Sequence, residues 1–215
     1  MTNIEYENKE ICSKCEGKCC KKCGCDYFVS DFESMETKYL ENFLNQGYAS
    51  IIATFKFERL KNGKLVLTPI LSIRARNTNR DVIDLLSLKT KCLSLTENGC
   101  TFDINNRPSG GRHLIPKENF NCQSDIDKIE ELYKYMPYQK TLQKLVKKYT
   151  GMSIDEKLKE DVKKLMNDLL NDNIEDVSPI ELEEIKTLLP LLVEIYPEET
   201  RQAYKNIKTL KKLSH

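Results

Sequence analysis

Between Cys12 and Cys25 the chain reads C-S-K-C-E-G-K-C-C-K-K-C-G-C, so six of its nine cysteines (Cys12, Cys15, Cys19, Cys20, Cys23 and Cys25) fall within fourteen residues. Cys12-x2-Cys15 and Cys20-x2-Cys23 have the spacing of a chelating knuckle, in which a tight turn lets two thiolates reach one ion. In extended backbone, successive side chains point to opposite faces. The Cys19-Cys20 doublet therefore suggests two neighbouring sites or a bridging thiolate. The remaining thiols, Cys92, Cys100 and Cys122, lie far along the chain. A centre drawing on both groups would tie together everything between them. With only two histidines, His113 and His215, ligation would be sulfur-dominated, which favours zinc or an iron–sulfur cluster over calcium or magnesium. A four-thiolate zinc centre carries a charge of about −2, and Lys14, Lys18, Lys21 and Lys22 are interleaved with the thiols to compensate it. The alternative is a lysine-rich solvated loop whose cysteines are reactive but bind nothing.

With 215 residues, the chain can bury a core without disulfide stapling, so stability does not account for the cysteines. Lys plus Arg number 34 and Asp plus Glu 33, a net charge of +1. That balance gives no global reason to expect nucleic acid or an anionic membrane as partner. Residues 1–10 have neither a basic nor an apolar segment of the kind a secretory signal needs. The longest apolar run, Leu188 to Ile195, is interrupted by Pro190 and Glu194 and is too short to span a bilayer. A cytoplasmic location without membrane contact is expected. There, clustered thiols more often hold metal or do redox chemistry than form disulfides.

The elements that must position these residues divide near Gln123. An α+β architecture is expected: a cysteine-rich metal-binding half with a β-hairpin over 1–123, then a helical region over 124–215. Phe32, Met35, Tyr39, Leu40, Phe43 and Leu44 recur at helical spacing and predict a helix from Asp31 to Asn45, capped by Ser30. Ala49 to Glu58 is rich in β-branched and aromatic residues, and Asn62-Gly63 precedes Lys64 to Thr68, which reads as a hairpin. Pro69 is expected to close that strand or mark a sheet edge, with Ile70 to Ala75 a further strand. Asn98-Gly99 predicts a second turn, flanked by Cys92 and Cys100. Beyond Gln123, amphipathic patterns predict helices over Asp125–Tyr135, Tyr138–Tyr149, Ile154–Leu170, Pro179–Ile195 and Pro197–Leu213.

Arg74, Arg76 and Arg80 cluster in one polar stretch, and Arg107 and Arg112 flank Pro108-Ser109-Gly110-Gly111. Forked guanidinium donors, together with backbone N–H groups freed by paired glycines, could bind an anion. The alternatives are solvated arginines, arginines paired with Asp81 and Asp84, or a plain connection. Several enzyme motifs are absent: the phosphate-binding loop, G-x-G-x-x-G, H-E-x-x-H and G-x-S-x-G. The C-x3-C-x2-C spacing of radical enzymes fails because position 22 is lysine. No His-x-Glu accompanies a Cys-x2-Cys, as a zinc deaminase requires. A Cys–His nucleophile using His113 rests on residues too common to be specific.

Cys12-x2-Cys15-x-Gly17-x-Cys19-Cys20, followed by Cys92-x7-Cys100, Arg107-Pro108 and Cys122, resembles the cysteine-cluster proteins of the YkgJ type. These are small bacterial proteins described as zinc- or iron-chelating, and a related cluster occurs in flagellin lysine methylases. The resemblance covers about the first 122 residues and implies chelation. Where that family carries Cys-Arg after Arg-Pro-x-x, this chain has Gly111-Arg112, so a ligand is missing for which Cys23, Cys25 or His113 could substitute. The leading expectation is a metal-binding protein with thiolate-rich sites, zinc ahead of iron or iron–sulfur. A second is a redox or protein-modifying iron enzyme. A third is a zinc-stabilised module that binds a protein or phosphate-bearing partner through Arg74, Arg76, Arg80, Arg107 and Arg112.

Overall fold

Strand β1 (Ala49–Arg59) is the centre of the sheet, and its sequence explains why: its first five residues are buried on both faces, and alternation with exposed positions begins only at Thr54. The computed structural model describes residues 8–15, 17–22, 25–88, 90–97, 99–120, 122–170 and 179–200, with the backbone alone described at Lys9, Cys12, Ser13, Cys19, Lys22, Gly99, Leu170, Pro179 and Ile180. Strand β2 (Leu65–Ala75) pairs antiparallel with β1 from Ala49↔Ala75 to Arg59↔Leu65. Gly63, at φ +82°, supplies the left-handed residue of the connecting turn. Strand β3 (Ile83–Asp84) adds in parallel to the other side of β1, giving the order β2-β1-β3.

Pro69 neither ends β2 nor separates two strands, because it pairs with Phe55 within a continuous ladder of eleven residues. The reason lies in which way its nitrogen faces. The odd-numbered neighbours Leu71 and Ala75 donate away from β1, to Gln139 and Cys25. Pro69 shares that parity, so its missing N–H falls on the outer edge of the sheet, where proline is tolerated.

The first helices are short. Helix α1 (Lys9–Lys14) is capped by Asn8, whose Oδ1 accepts from the Ile11 N–H at 3.0 Å. Helix α2 is Lys18–Lys22. The helix expected from Asp31 begins later: α3 spans Thr37–Leu44, preceded by a 3-10 turn at Val29–Asp31. Asp31 folds its carboxylate back onto the Phe28 N–H at 2.8 Å and is held there by a distant segment. Phe32 and Met35 therefore enter the core from a loop.

Two small hairpins follow, β4 (Leu95–Thr96) with β5 (Gly99–Cys100), and β6 (Leu114–Ile115) with β7 (Gln123–Ser124). The single-turn helix α4 (Ser109–Arg112) lies between them. Helix α5 (Lys128–Tyr133) starts at its Asp127 cap, since Ser124 and Ile126 are engaged in the turn that leaves β7. A 3-10 turn (Met136–Tyr138) leads into α6 (Gln139–Thr150), which Gly151 ends at φ +74°. Helices α7 (Ile154–Leu170) and α8 (Pro179–Ile195) have the expected bounds. Residues 197–200 are helical; the rest of the helix expected over Pro197–Leu213 lies outside the described residues.

The result is a mixed α/β fold, a small sheet with helices. One buried cluster joins Tyr27, Leu40, Ile51, Leu71 and Cys92 to Leu142, Val162, Met166 and Leu192, so the later helices cover the same core as the sheet. No helix among the described residues is long and apolar enough to cross a membrane.

Candidate thiol-rich site

The outer edge of β2 gathers the cysteine-bearing segments. Cys25 is laid along it in strand-like pairing: Ala75 N–H donates to the Cys25 carbonyl at 2.8 Å, Tyr27 N–H donates to the Ile73 carbonyl at 3.0 Å, and Asp26 bridges Arg74. Just beyond the strand, Cys92 bridges Asn77, with Thr78 N–H on the Lys91 carbonyl and Leu93 N–H on the Arg76 carbonyl. Cys92 N–H also donates to the Cys20 carbonyl at 2.7 Å, tying α2 to the same place. Gly17, at φ +69°, packs against Leu95, whose side chain fills the space a Cβ would need. Across the β4–β5 ladder Leu95 pairs with Cys100. Thus a short hairpin forms here with Gly99 in its second strand, Asn98 lies outside the described residues, and the residue opposite Cys100 is Leu95 and not Cys92.

Tyr27 is the common neighbour. It is buried against the Phe32 and Phe43 rings, with centroids at 5.8 and 5.0 Å. Its carbonyl accepts from the buried Tyr135 hydroxyl at 2.8 Å. Burial pushes the Tyr27 phenol well above its usual range. The Asp31 carboxylate pushes it the same way, as do Cys25, Cys92 and Cys100 in their thiolate form.

Helix α4 closes this region. The Asp31 carboxylate accepts from Ser109 N–H at 2.9 Å, Ser109 Oγ at 2.5 Å and Arg112 Nη2 at 2.6 Å. The anion met by this arginine-flanked loop is therefore one of the chain's own. The paired glycines are needed for room and not for unusual backbone angles, since neither has positive φ. A Cβ on Gly110 would lie 2.7 Å from the Asp26 carbonyl oxygen, and one on Gly111 would lie 2.6 Å from Cys25 Sγ. Gly110 N–H donates to that same Asp26 carbonyl at 2.9 Å.

The other expected site residues fall as follows. Of the two Cys-x2-Cys pairs, Cys12 is in α1 with Cys15 at its C-terminal cap, and Cys20 lies in α2 beside Cys19. The doublet is helical, so the expectation drawn from extended backbone does not apply. Cys23 and the side chains of Cys12 and Cys19 lie outside the described residues. Cys15, Cys20, Cys25, Cys92, Cys100 and Cys122 stand as thiols, Cys20 and Cys92 buried. Cys122 directly precedes β7, in the hairpin that begins after His113. His113 Nδ1 lies 3.4 Å from Asp125. Lys14 turns to Glu10 at 2.7 Å.

The arginines are spread over the fold and used within it. Arg74 is buried and donates to the Ser87 carbonyl at 3.1 Å, and Arg76 donates to that of Ala49. Arg80 pairs with Glu181 of α8, a partner much farther along the chain than Asp81 or Asp84. Arg107 donates to the Phe102 carbonyl at 3.2 Å.

Sequence reasoning missed Tyr27, Asp31 and Ser109. Their types are common, and no local spacing marks a carboxylate whose partners lie in another segment. It also missed a cavity of about 360 Å³ away from the thiols, lined by Asp84, Asp161, Asp168 and Glu181 with Arg80 and Lys164 over Leu86, Leu165 and Ile185. Burial pushes the Asp84 carboxyl above its usual value, against the pull of Arg80 and Arg74.

The donor chemistry around Tyr27 suits a soft ion. Among the described residues no three His, Cys, Asp or Glu side chains converge closely enough to hold one, so a full ligand set would have to draw on Cys12, Cys19 or Cys23 as well. No family model, no curated protein and no solved structure matches this chain.

Proposed function

We propose that this chain is a metal-binding protein whose centre is built from cysteine thiolates, with zinc the first candidate and iron or an iron–sulfur cluster the alternative. The ligands come from Cys12, Cys15, Cys19, Cys20, Cys23 and Cys25 on one side and Cys92, Cys100 and Cys122 on the other. The observation that carries the reading is the hydrogen bond from Cys92 N–H to the Cys20 carbonyl at 2.7 Å. It joins the N-terminal cluster to the later cysteine segment at the edge of β2, where Cys25 is also held. Zinc accepts an all-thiolate tetrahedral shell at about 2.3 Å, and the proposed ligand set supplies thiolates from both sides of this junction. The resemblance to chelating cysteine-cluster proteins supports the same reading.

Elemental analysis and an absorption spectrum on protein purified without oxygen test it. Stoichiometric zinc in a colourless protein is the expected result; a brown protein with charge-transfer bands moves the assignment to iron. Cys15→Ser and Cys100→Ser should each lower metal content and melting temperature together, because binding to a site absent from the unfolded chain contributes to folding. A wild-type protein that carries no metal and melts unchanged with chelator overturns the proposal.

A further inference from the structure

We infer that Cys25 is a ligand of this centre, that Gly111 is the residue that positions its sulfur, and that positions 25 and 111 share one sulfur site, so a thiol supplied from 111 can replace that of Cys25. The inference rests on the thiolate-centre reading and deepens it.

Gly111 sits inside a short helical turn and is buried. Glycine there loses more backbone freedom on folding than any other residue, and its backbone angles do not require it. What requires it is the sulfur: a Cβ at 111 would lie 2.6 Å from Cys25 Sγ and 3.2 Å from Cys25 Cβ. The Cys25 side chain thus occupies the volume a side chain at 111 would fill. A thiol built on position 111 would place its sulfur about one C–S bond from its own Cβ, in the neighbourhood Cys25 Sγ already occupies.

Both backbones are pinned independently of the sulfur. Cys25 is fixed through Ala75 N–H, and α4 through Gly110 N–H on Asp26 and the Asp31 contacts to Ser109 and Arg112. Exchanging the two side chains therefore leaves the frame in place. The relocated sulfur would thus stay in the volume that Cys25 Sγ now fills.

The test has a metal arm and a metal-free arm. In the first, reduced protein is titrated with zinc, and bound zinc per chain is counted. Cys25→Gly should weaken zinc binding roughly tenfold or more, in the range that even outer partners of a metal site command. The exchange Cys25→Gly/Gly111→Cys should recover most of that loss, and the control Cys25→Gly/Gly111→Ser should not. In the second, melting is followed with chelator present. Gly111→Ala should lower the melting temperature of the wild type but not of Cys25→Gly, where the opposing sulfur is gone.

Wild-type zinc affinity in Cys25→Gly removes Cys25 as a ligand and leaves the proposed function standing. An exchange variant no better than its serine control overturns the shared sulfur site. Equal destabilisation by Gly111→Ala in both backgrounds overturns the positioning role of Gly111 without reference to any metal. A wild type that binds no zinc and no iron fails the thiolate centre itself.

Discussion

Arg112 Nη2 donates to Asp31 Oδ1 at 2.6 Å, and the carboxylate it meets is only 7% exposed. The same carboxylate also accepts from Phe28 N–H, Ser109 N–H and Ser109 Oγ, so it joins the 3-10 turn before α3 to the start of α4. A carboxylate this buried is tolerable because its lone pairs are filled and a cation is beside it. Removing its charge leaves Arg112 with a neutral and weaker acceptor. Asp31→Asn should cost about 2 kcal/mol, below the full range for breaking a buried pair because Arg112 is partly exposed. In urea unfolding, Asp31→Asn and Arg112→Gln should show a coupling of about 1–2 kcal/mol. Additive effects would mean that Ser109, and not Arg112, is the partner that matters.

Gln139 caps the sheet edge with its side chain. Leu71 N–H donates to Gln139 Oε1, and Gln139 Nε2 donates to the Leu71 carbonyl, both at 2.9 Å. One amide thus imitates a neighbouring strand where the Cys25–Tyr27 segment has ended. Gln139→Glu keeps the acceptor but sets a carboxylate against a carbonyl, and should cost about 1–3 kcal/mol for the group left unsatisfied. Hydrogen exchange at Leu71 should quicken, and an open edge should raise light scattering at high concentration. Unchanged exchange at Leu71 would show that another group covers this edge.

Local signals account for what could be read in advance. Asn62-Gly63 between two strand-like runs located the first hairpin, and the stripe of Leu158, Val162, Leu165, Met166 and Leu169 located α7. Both are written within a few residues of themselves. The late start of α3 was not legible, since it depends on Asp31 being claimed by Ser109 and Arg112 from far along the chain. Pro69 was half legible: it does mark a sheet edge, since β2 is the edge strand, but it does not break the strand, because its nitrogen faces away from β1, a property of the assembled sheet. In the candidate site the cysteines could be listed from sequence, but that Gly111 faces Cys25 could not. A glycine's missing side chain has meaning only when the atoms that fill its place are known.

Asp84 offers a pH test of the far side of the sheet. It ends β3, and its Oδ1 accepts from Ser87 N–H at 3.2 Å. Burial raises its carboxyl above its ordinary value; Arg80 and Arg74 oppose this, and Glu181 adds to it. Asp161 of α7 is coupled to it with the same sign. A carboxyl raised in the folded state holds its proton more tightly folded than unfolded. Its stabilising contribution is therefore complete below the unfolded value and is lost as pH rises through the folded one. At pH 7 burial of Asp84 therefore costs stability, and Asp84→Asn, which can still accept from Ser87, should melt higher, by about 2–4 °C for each ~1 kcal/mol relieved in a chain of this size. Below about pH 3, under the ordinary aspartate value of about 3.9, wild-type Asp84 is protonated in both states and the two proteins should melt together. If Asp84→Asn is instead less stable at pH 7, the attraction of Arg80 and Arg74 outweighs burial, and the gap should then close as acid protonates the wild type.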